Sequence, residues 1–368
     1  MIPYGRQTID ERDIEAVVKV LHSDWFTQGP KVAEFEKALA RYCGAKYAVA
    51  VSSGTSALHL AYLTVGLKAG DEVITTPNTF AATSNMVLAV GAKPVFCDIR
   101  IDTYNIDETK IESLITKKTK AIVPVHFAGH PCEMDVILKI AKKHNLLVIE
   151  VACHALGAKY RNKKIGSLRS DMTIFSFHPV KAITTGEGGA ILTNSKKYYQ
   201  KLISLRSHGI HKDAQGKNIM TELGYNYRMT DIQAALGVSQ LKKLNMFIAM
   251  RRKVVQWYRE ELARLNDIVL PQELNNVRSA WHIYVIRTRN INAREELAAH
   301  LKSKGIGVNF HYPAVYSHPH YRDIGYKNMK LKNEEGYQNS CITLPCYPRL
   351  TKRQVQYTGK QIRECLTK

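Results

Sequence analysis

YAVAVSSGTSALHLAYLTVG, residues 47–66, sets the pattern for most of the chain. Residues 47–51 are a continuous apolar run, too short for a helix and right for a strand covered on both faces. SSGTS then turns the chain, and the stretch after it is helical until Gly66 stops it. Strand, turn and helix recur downstream. Residues 72–76, 94–97, 121–127, 146–151, 172–177 and 189–193 read as strands. Residues 85–90, 106–115 and 132–144 read as helices between them. Upstream, residues 9–23 and 32–42 are two further helices. This alternation implies an α/β protein with a mostly parallel sheet covered by helices. In such sheets ligands gather at the carboxyl ends of the strands.

After about residue 240 the texture changes. A long helical stretch, 230–265, leads to short strands near 280–287 and a helix near 294–304. The expected organisation is a large α/β domain over 1–245 and a smaller α+β domain over 246–368, with residues 1–25 packing partly on the smaller one. A 368-residue chain suits about two domains at roughly 150 residues each.

Bulk properties narrow the function classes. No apolar run approaches the ~18 residues needed to span a bilayer. The start of the chain is acidic early and lacks the apolar core of a signal peptide. Seven scattered cysteines without a C-x-x-C pair fit reduced, cytoplasmic thiols. No metal site is suggested. The formal charge of +21 is unusual. Its basic residues come in pairs and triplets, such as Arg251-Arg252-Lys253, spread along the chain. That distribution reads as a solvated surface; a nucleic-acid partner would call for a basic run or a recognition motif, and neither is present.

Two segments at strand ends carry chemistry. Ser52-Ser53-Gly54-Thr55-Ser56 opens a helix, and free N–H groups at a helix start suit a phosphate; a plain N-cap is the simpler reading of the same residues. SFHPVKAITTGEGGA, residues 176–190, places Lys181 just past a strand end, with Gly186, Gly188 and Gly189 letting the chain double back. A lysine desolvated there can lose its charge and act as a Schiff-base nucleophile; a surface lysine in a loop is the plain reading of the same residue.

SFHPVKAITTGEGGA closely resembles the lysine segment of the DegT/DnrJ/EryC1/StrS sugar aminotransferases. DWFTQGPKVAEFEKALARY, VSSGTSALHLA, TTPNTFAATSNMVLAVGAKPVFCDI, HFAGHPCEMD, ACHALGAKY, GYNYRMTDIQAALG, NFHYPAVYSHPHYR and LPCYPRLT are similar to that family in the same order. The resemblance covers essentially the whole chain. It implies fold-type I, the aspartate aminotransferase-like architecture, and pyridoxal 5'-phosphate (PLP) as cofactor. It makes Lys181 the catalytic residue, bound to PLP and moving the proton. Gly54, Thr55 and Ser176 would hold the phosphate. Phe80 would stack on the ring, and His154 would lie by its phenolic oxygen; without the resemblance both read as core residues. Asn226 would reach the neighbouring subunit's cofactor, which implies a homodimer with shared sites. His178, His311 and Tyr312 would line the substrate pocket. The implied substrates are a nucleotide-linked keto-sugar and an amino-acid donor, usually glutamate. ITTGEGG is most similar to members that aminate C4 of UDP-linked sugars, as in the pseudaminic acid pathway.

One position departs from the family. Members usually read Glu-Asp-Ala before the equivalent of Cys153-His154, and that Asp pairs with the pyridinium nitrogen. This chain reads Glu150-Val151-Ala152. Val151 offers no charge to a protonated ring. Glu150 should face the other way, because side chains alternate along a strand, unless a bulge turns it. The alternative to a working aminotransferase is therefore an impaired or non-catalytic PLP-binding paralogue.

Overall fold

The structure, a computed structural model, describes residues 1–366. Seven strands form the central sheet: β1 (Tyr47–Val51), β2 (Glu72–Thr75), β3 (Lys93–Phe96), β4 (Thr119–Val123), β5 (Leu147–Val151), β6 (Met172–Ser176) and β7 (Gly189–Thr193). Their order is β1-β7-β6-β5-β4-β2-β3. Only β7 runs against its neighbours; the pairings from β6 through β3 are parallel. The glycine-rich turn after Lys181 makes the reversal possible, because a tight turn brings the chain straight back beside β6 where a parallel partner would need a crossover.

Side chains alternate between two apolar layers. On β1, Ala48 and Ala50 join the layer of α2 (Pro30–Cys43), with Phe35 and Leu39 at its centre. Val49 and Val51 join the opposite layer, with Leu58 and Leu60 of α3 (Gly54–Thr64). α4 (Ala82–Ala89) and α5 (Lys196–Arg206) complete that second layer through Val87, Leu202 and Leu205. The predicted helix at 106–115 is shorter, an α-turn at Glu108–Ile111 followed by a 3₁₀ turn at Glu112–Leu114. Ile106 instead bridges to Ile99 in extended backbone.

α6 (Asp231–Leu262) is a 32-residue helix, started by a capping box between Thr230 and Gln233. Leu241 and Leu244 in its first half pack with the sheet layer. Val254, Tyr258 and Leu262 in its second half belong to a separate C-terminal core. That core covers an antiparallel sheet of Ile268–Val269, Tyr284–Thr288 and Cys341–Leu344. Ile2 lies in the same core. The first helix, Glu11–Leu21, is held to α6 where Asp13 accepts from Gln240 at 2.7 Å and Lys243 at 2.5 Å. Among the described residues, no helix is long and apolar enough to cross a membrane.

Glu334, in the helical turn Lys332–Gln338, is fully buried and neither carboxylate oxygen has a partner. Burial, and then the nearby Asp98 carboxylate, hold its pKa well above the ordinary 4.5. The folded protein keeps Glu334 protonated while the unfolded chain ionises it above 4.5. Stability from this site is therefore complete below that pH and declines as pH rises towards the folded pKa. Glu334→Gln should remove this slope. In thermal melts from pH 5 upward, in steps of about one unit, the variant should gain on the parent as pH increases. A constant difference would contradict the burial argument.

Candidate active site

A cleft of about 640 Å³ opens at the carboxyl ends of β1, β5 and β6. It gathers Gly54, Thr55, Phe80, Val151, His154 and Ser176, together with His178, Lys181, His311 and Tyr312. Those are ten of the eleven residues that the sequence singles out. Asn226 is not among them. It is exposed, on the extended segment that bridges to Ser207.

Each wall follows from local chemistry. Ser53 caps α3, its Oγ accepting from the Ser56 N–H at 3.0 Å. The N–H groups of Gly54 and Thr55 have no acceptor inside the helix, as in any first turn. Gly54 also has a packing reason to lack a side chain: a Cβ there would lie 2.9 Å from Ser176 Cβ. The helix start, its two free N–H groups and the Ser176 hydroxyl therefore sit close enough to share one anion.

Lys181 follows β6 on a turn closed by its own N–H to the His178 carbonyl, 2.9 Å. Burial pulls its ammonium pKa below the usual lysine value, with the Cys153 thiol acting weakly the other way. Three imidazoles surround it and all stay neutral. Burial first, then the Lys181 charge, pull His311 down to about 4 and put His154 well below 6.5. Burial does the same to His282, with His154 the next contributor. His311 Nδ1 is fixed by the Thr343 hydroxyl at 2.8 Å.

His154 Nε2 lies 3.2 Å from the Tyr312 hydroxyl. With that O–H donating to Nε2, the ring proton sits on Nδ1. Nδ1 is buried and has no protein partner, so it is a donor that only a bound molecule can satisfy. Tyr312 is itself placed by its N–H to Asn78 Oδ1, 3.2 Å. That bond ties the PNTF turn to the 309–313 loop. Phe80 projects from this turn, 65% exposed, into the cleft.

Val151 ends β5 facing the cleft and is buried at 5% exposure. β5 pairs with β6 in regular register, Glu150 opposite Thr173 and Val151 opposite Ile174, so no bulge turns Glu150 inward. Glu150 is fully buried on the other face. It is bonded to His126 Nε2 at 2.8 Å, to Thr173 Oγ1 at 3.1 Å and to the Ser170 hydroxyl.

His282, Tyr4, Phe310 and His318 also line the cleft, and sequence reasoning misses all four. His282 arrives through its N–H to the Ala128 carbonyl, 2.9 Å, and through Arg251 Nη1, which donates to the His282 carbonyl at 2.8 Å. No spacing in the sequence signals contacts between residues so far apart. Among the residues lining the cleft, Glu187 is the one carboxylate, set against Lys181 and five histidines.

The cleft fits PLP at three points: a desolvated lysine, an anion cradle at a helix start, and an unsatisfied buried ring nitrogen on His154. It does not fit at Val151, where a pyridinium would meet a methyl surface.

The sequence pattern of the DegT/DnrJ/EryC1/StrS aminotransferase family matches residues 7–363. A UDP-4-amino-4,6-dideoxy-N-acetyl-beta-L-altrosamine transaminase of Campylobacter jejuni is 41% identical, over 100% of this chain and 98% of its own. Helicobacter pylori PseC, an aminotransferase involved in the biosynthesis of pseudoaminic acid, superposes with a TM-score of 0.96 at 35% identity, covering 100% of this chain and 99% of that one. The putative sugar aminotransferase Spr1654 of Streptococcus pneumoniae, in its PMP-form, superposes with a TM-score of 0.95 at 30% identity, covering 99% of both.

Proposed function

The chain belongs to the DegT/DnrJ/EryC1/StrS aminotransferase family, and from that premise we propose that it moves an amino group from glutamate to C4 of a UDP-linked 4-keto-6-deoxy sugar, using PLP held at Lys181. The observation that carries this reading is Lys181 itself, a desolvated lysine in a cleft with one carboxylate.

PLP, when bound, supplies an electrophilic carbon and a ring that withdraws electrons. The protein's residues do the rest. The Lys181 amine, whose proton affinity burial lowers, is suited to act both as nucleophile and as the base that takes a proton from the substrate carbon. Gly54, Thr55 and Ser176 would hold the phosphate by N–H and O–H donation. His154 Nδ1 would donate to the phenolic oxygen. Phe80 would cover one face of the ring. The neutral imidazoles of His282 and His311 add no charge that competes with Lys181. His178 and His311-Tyr312 would line the substrate side, and Asn226, pointing out of the protomer, would complete the site of a partner in a homodimer.

Purified protein tests this directly. Glutamate alone should remove the visible absorbance of lysine-bound PLP, and a UDP-linked 4-keto sugar should restore it. Failure to retain PLP would remove the enzyme reading. PLP retained without any response to glutamate over hours would favour a binding paralogue, the second reading that Val151 supports.

Gly54→Ala tests the phosphate cradle. The added methyl meets Ser176 at 2.9 Å, so one wall must shift. Losing one charge-assisted hydrogen bond weakens binding by about tenfold or more. Equilibrium dialysis of PLP should show that loss, whereas unchanged retention would mean the phosphate lies elsewhere.

A further inference from the structure

The backbone that carries His282 into the cleft lies outside the ordinary regions. Trp281 has φ 49°, and the turn facing it has Ala128 at 56° and Gly129 at 95°. A left-handed backbone is uncommon for alanine and an outlier for a residue as bulky as tryptophan. The two turns clasp each other: the His282 N–H donates to the Ala128 carbonyl at 2.9 Å, and the Ala280 N–H to the Gly129 carbonyl at 3.0 Å. A Cβ on Gly129 would lie 2.9 Å from the Trp281 nitrogen, so the approach needs a glycine. From behind, Arg251 of α6 is 2% exposed, and its Nη1 donates to the His282 carbonyl at 2.8 Å and the Cys346 carbonyl at 2.6 Å. Strain persists where the surroundings over-determine it, and it clusters at functional sites.

We propose that His282 is a positioning residue: the face of its imidazole fixes the plane of the His154 ring and so aims His154 Nδ1 at the cofactor. The inference rests on the PLP reading of the cleft given above.

His154 needs such a partner. The last torsion of a histidine side chain is a broad well. The His154 side chain has one protein hydrogen bond, from Nε2 to the Tyr312 hydroxyl, and a single bond at one edge leaves the ring free to rock about it. The Tyr312 and Phe127 rings both lie 6.2 Å from it, centre to centre. The His282 ring lies at 4.2 Å, tilted by 37°, and is the close contact.

His282 is built to supply that contact. Neither of its ring nitrogens bonds to a described residue, so the backbone sets the ring's place and the ring offers its face. Burial, then His154, Lys181, Arg251 and His311, put its pKa well below 6.5. Burial and Lys181 do the same to His154. Two neutral rings can pack this closely without charge repulsion.

The test has an arm without cofactor and an arm with it. In apo-protein with isotope-labelled histidine, NMR reads the His154 ring, assigned with His154→Gln. His282→Ala should shift and broaden those signals, and His282→Phe, which restores a ring face, should keep them sharp. If the alanine variant melts early, His282→Leu, which keeps volume without a ring, takes its place. In PLP-loaded protein, His282→Ala should raise the pH at which the absorbance of lysine-bound PLP changes by about one unit, since a hydrogen bond to a charged oxygen is worth about tenfold. His282→Phe should stay close to the parent. In a His154→Ala background, His282→Ala should add nothing, because it acts through the ring already removed. Unchanged His154 signals in His282→Ala would overturn the proposal whether or not PLP binds. An additive shift in the double variant would overturn it too, as would a phenylalanine variant that behaves like the alanine one. A parent protein that retains no PLP would fail the cofactor reading instead, and the apo-protein signals would then decide whether His282 holds His154.

Discussion

Lys181→Ala should lower amino transfer by about 10⁴-fold or more, the upper range for losing a group that moves the reacting proton, and should leave the protein folded. The two halves of this expectation have different causes. The rate falls because the cleft holds no second amine to bind the cofactor's carbonyl carbon: its other basic groups are imidazoles and the Glu187 carboxylate. The fold survives because the turn that presents Lys181 is closed by backbone, its N–H on the His178 carbonyl. The Lys181 side chain makes no hydrogen bond or ion pair among the described residues. Removing a desolvated amine relieves a cost of burial and orphans no partner. The measurements are the visible absorbance of lysine-bound PLP, the glutamate half-reaction and a thermal melt. Absorbance and turnover should vanish together while the melting temperature holds. Lys181→Arg should be no better, since a guanidinium stays charged and cannot attack. Retained absorbance in the alanine variant would move the attachment point elsewhere.

Much of the fold and of the cleft is legible in the amino-acid sequence, for identifiable reasons. The strands of the central sheet are short and mostly apolar, because both faces are covered, and β1 and β7 have the bounds read from sequence. Boundaries drift where a polar residue can serve either state. The helix expected from 132 begins at Met134, and the stretch at 106–115 splits because Ile106 is drawn into a bridge with Ile99. Eight of the ten cleft residues expected from sequence lie in a Gly-Thr helix start, the PNTF turn, the lysine loop and the HYP run; Val151 and His154 lie at the end of β5 and just past it. His282 and His318 carry no such signature. They enter the cleft through contacts between distant segments, such as Arg251 Nη1 on the His282 carbonyl.

Val151→Asp should accelerate the glutamate half-reaction by about 10- to 10³-fold. The magnitude follows from the one to three pKa units by which a carboxylate at close range favours a neighbouring cation. The parent places an apolar side chain where the family resemblance implies a carboxylate, and β5 offers no substitute facing the cleft. Glu150, the adjacent acid, is spent on His126, Thr173 and Ser170 across the strand. Regular pairing of Val151 with Ile174 rules out a local twist that would bring it round. Glu187 is the one carboxylate lining the cleft, and it belongs to the turn after Lys181, not to β5. The substitution carries a structural penalty that makes the test sharper. Val151 packs in the same apolar layer as Val49, Val125 and Ile174, so an unpaired aspartate there is desolvated at a cost above the ~1–3 kcal/mol of a neutral polar group. Without PLP the variant should therefore melt below the parent. With PLP bound, the ring nitrogen gives the carboxylate a partner, so cofactor should raise the variant's melting temperature by more than it raises the parent's. Rate and cofactor-dependent stability rest on the same pair of atoms and should rise together. A variant that loses apo stability yet gains neither rate nor cofactor-dependent stabilisation would show that position 151 does not face the ring nitrogen, and that this protein handles the ring through another group.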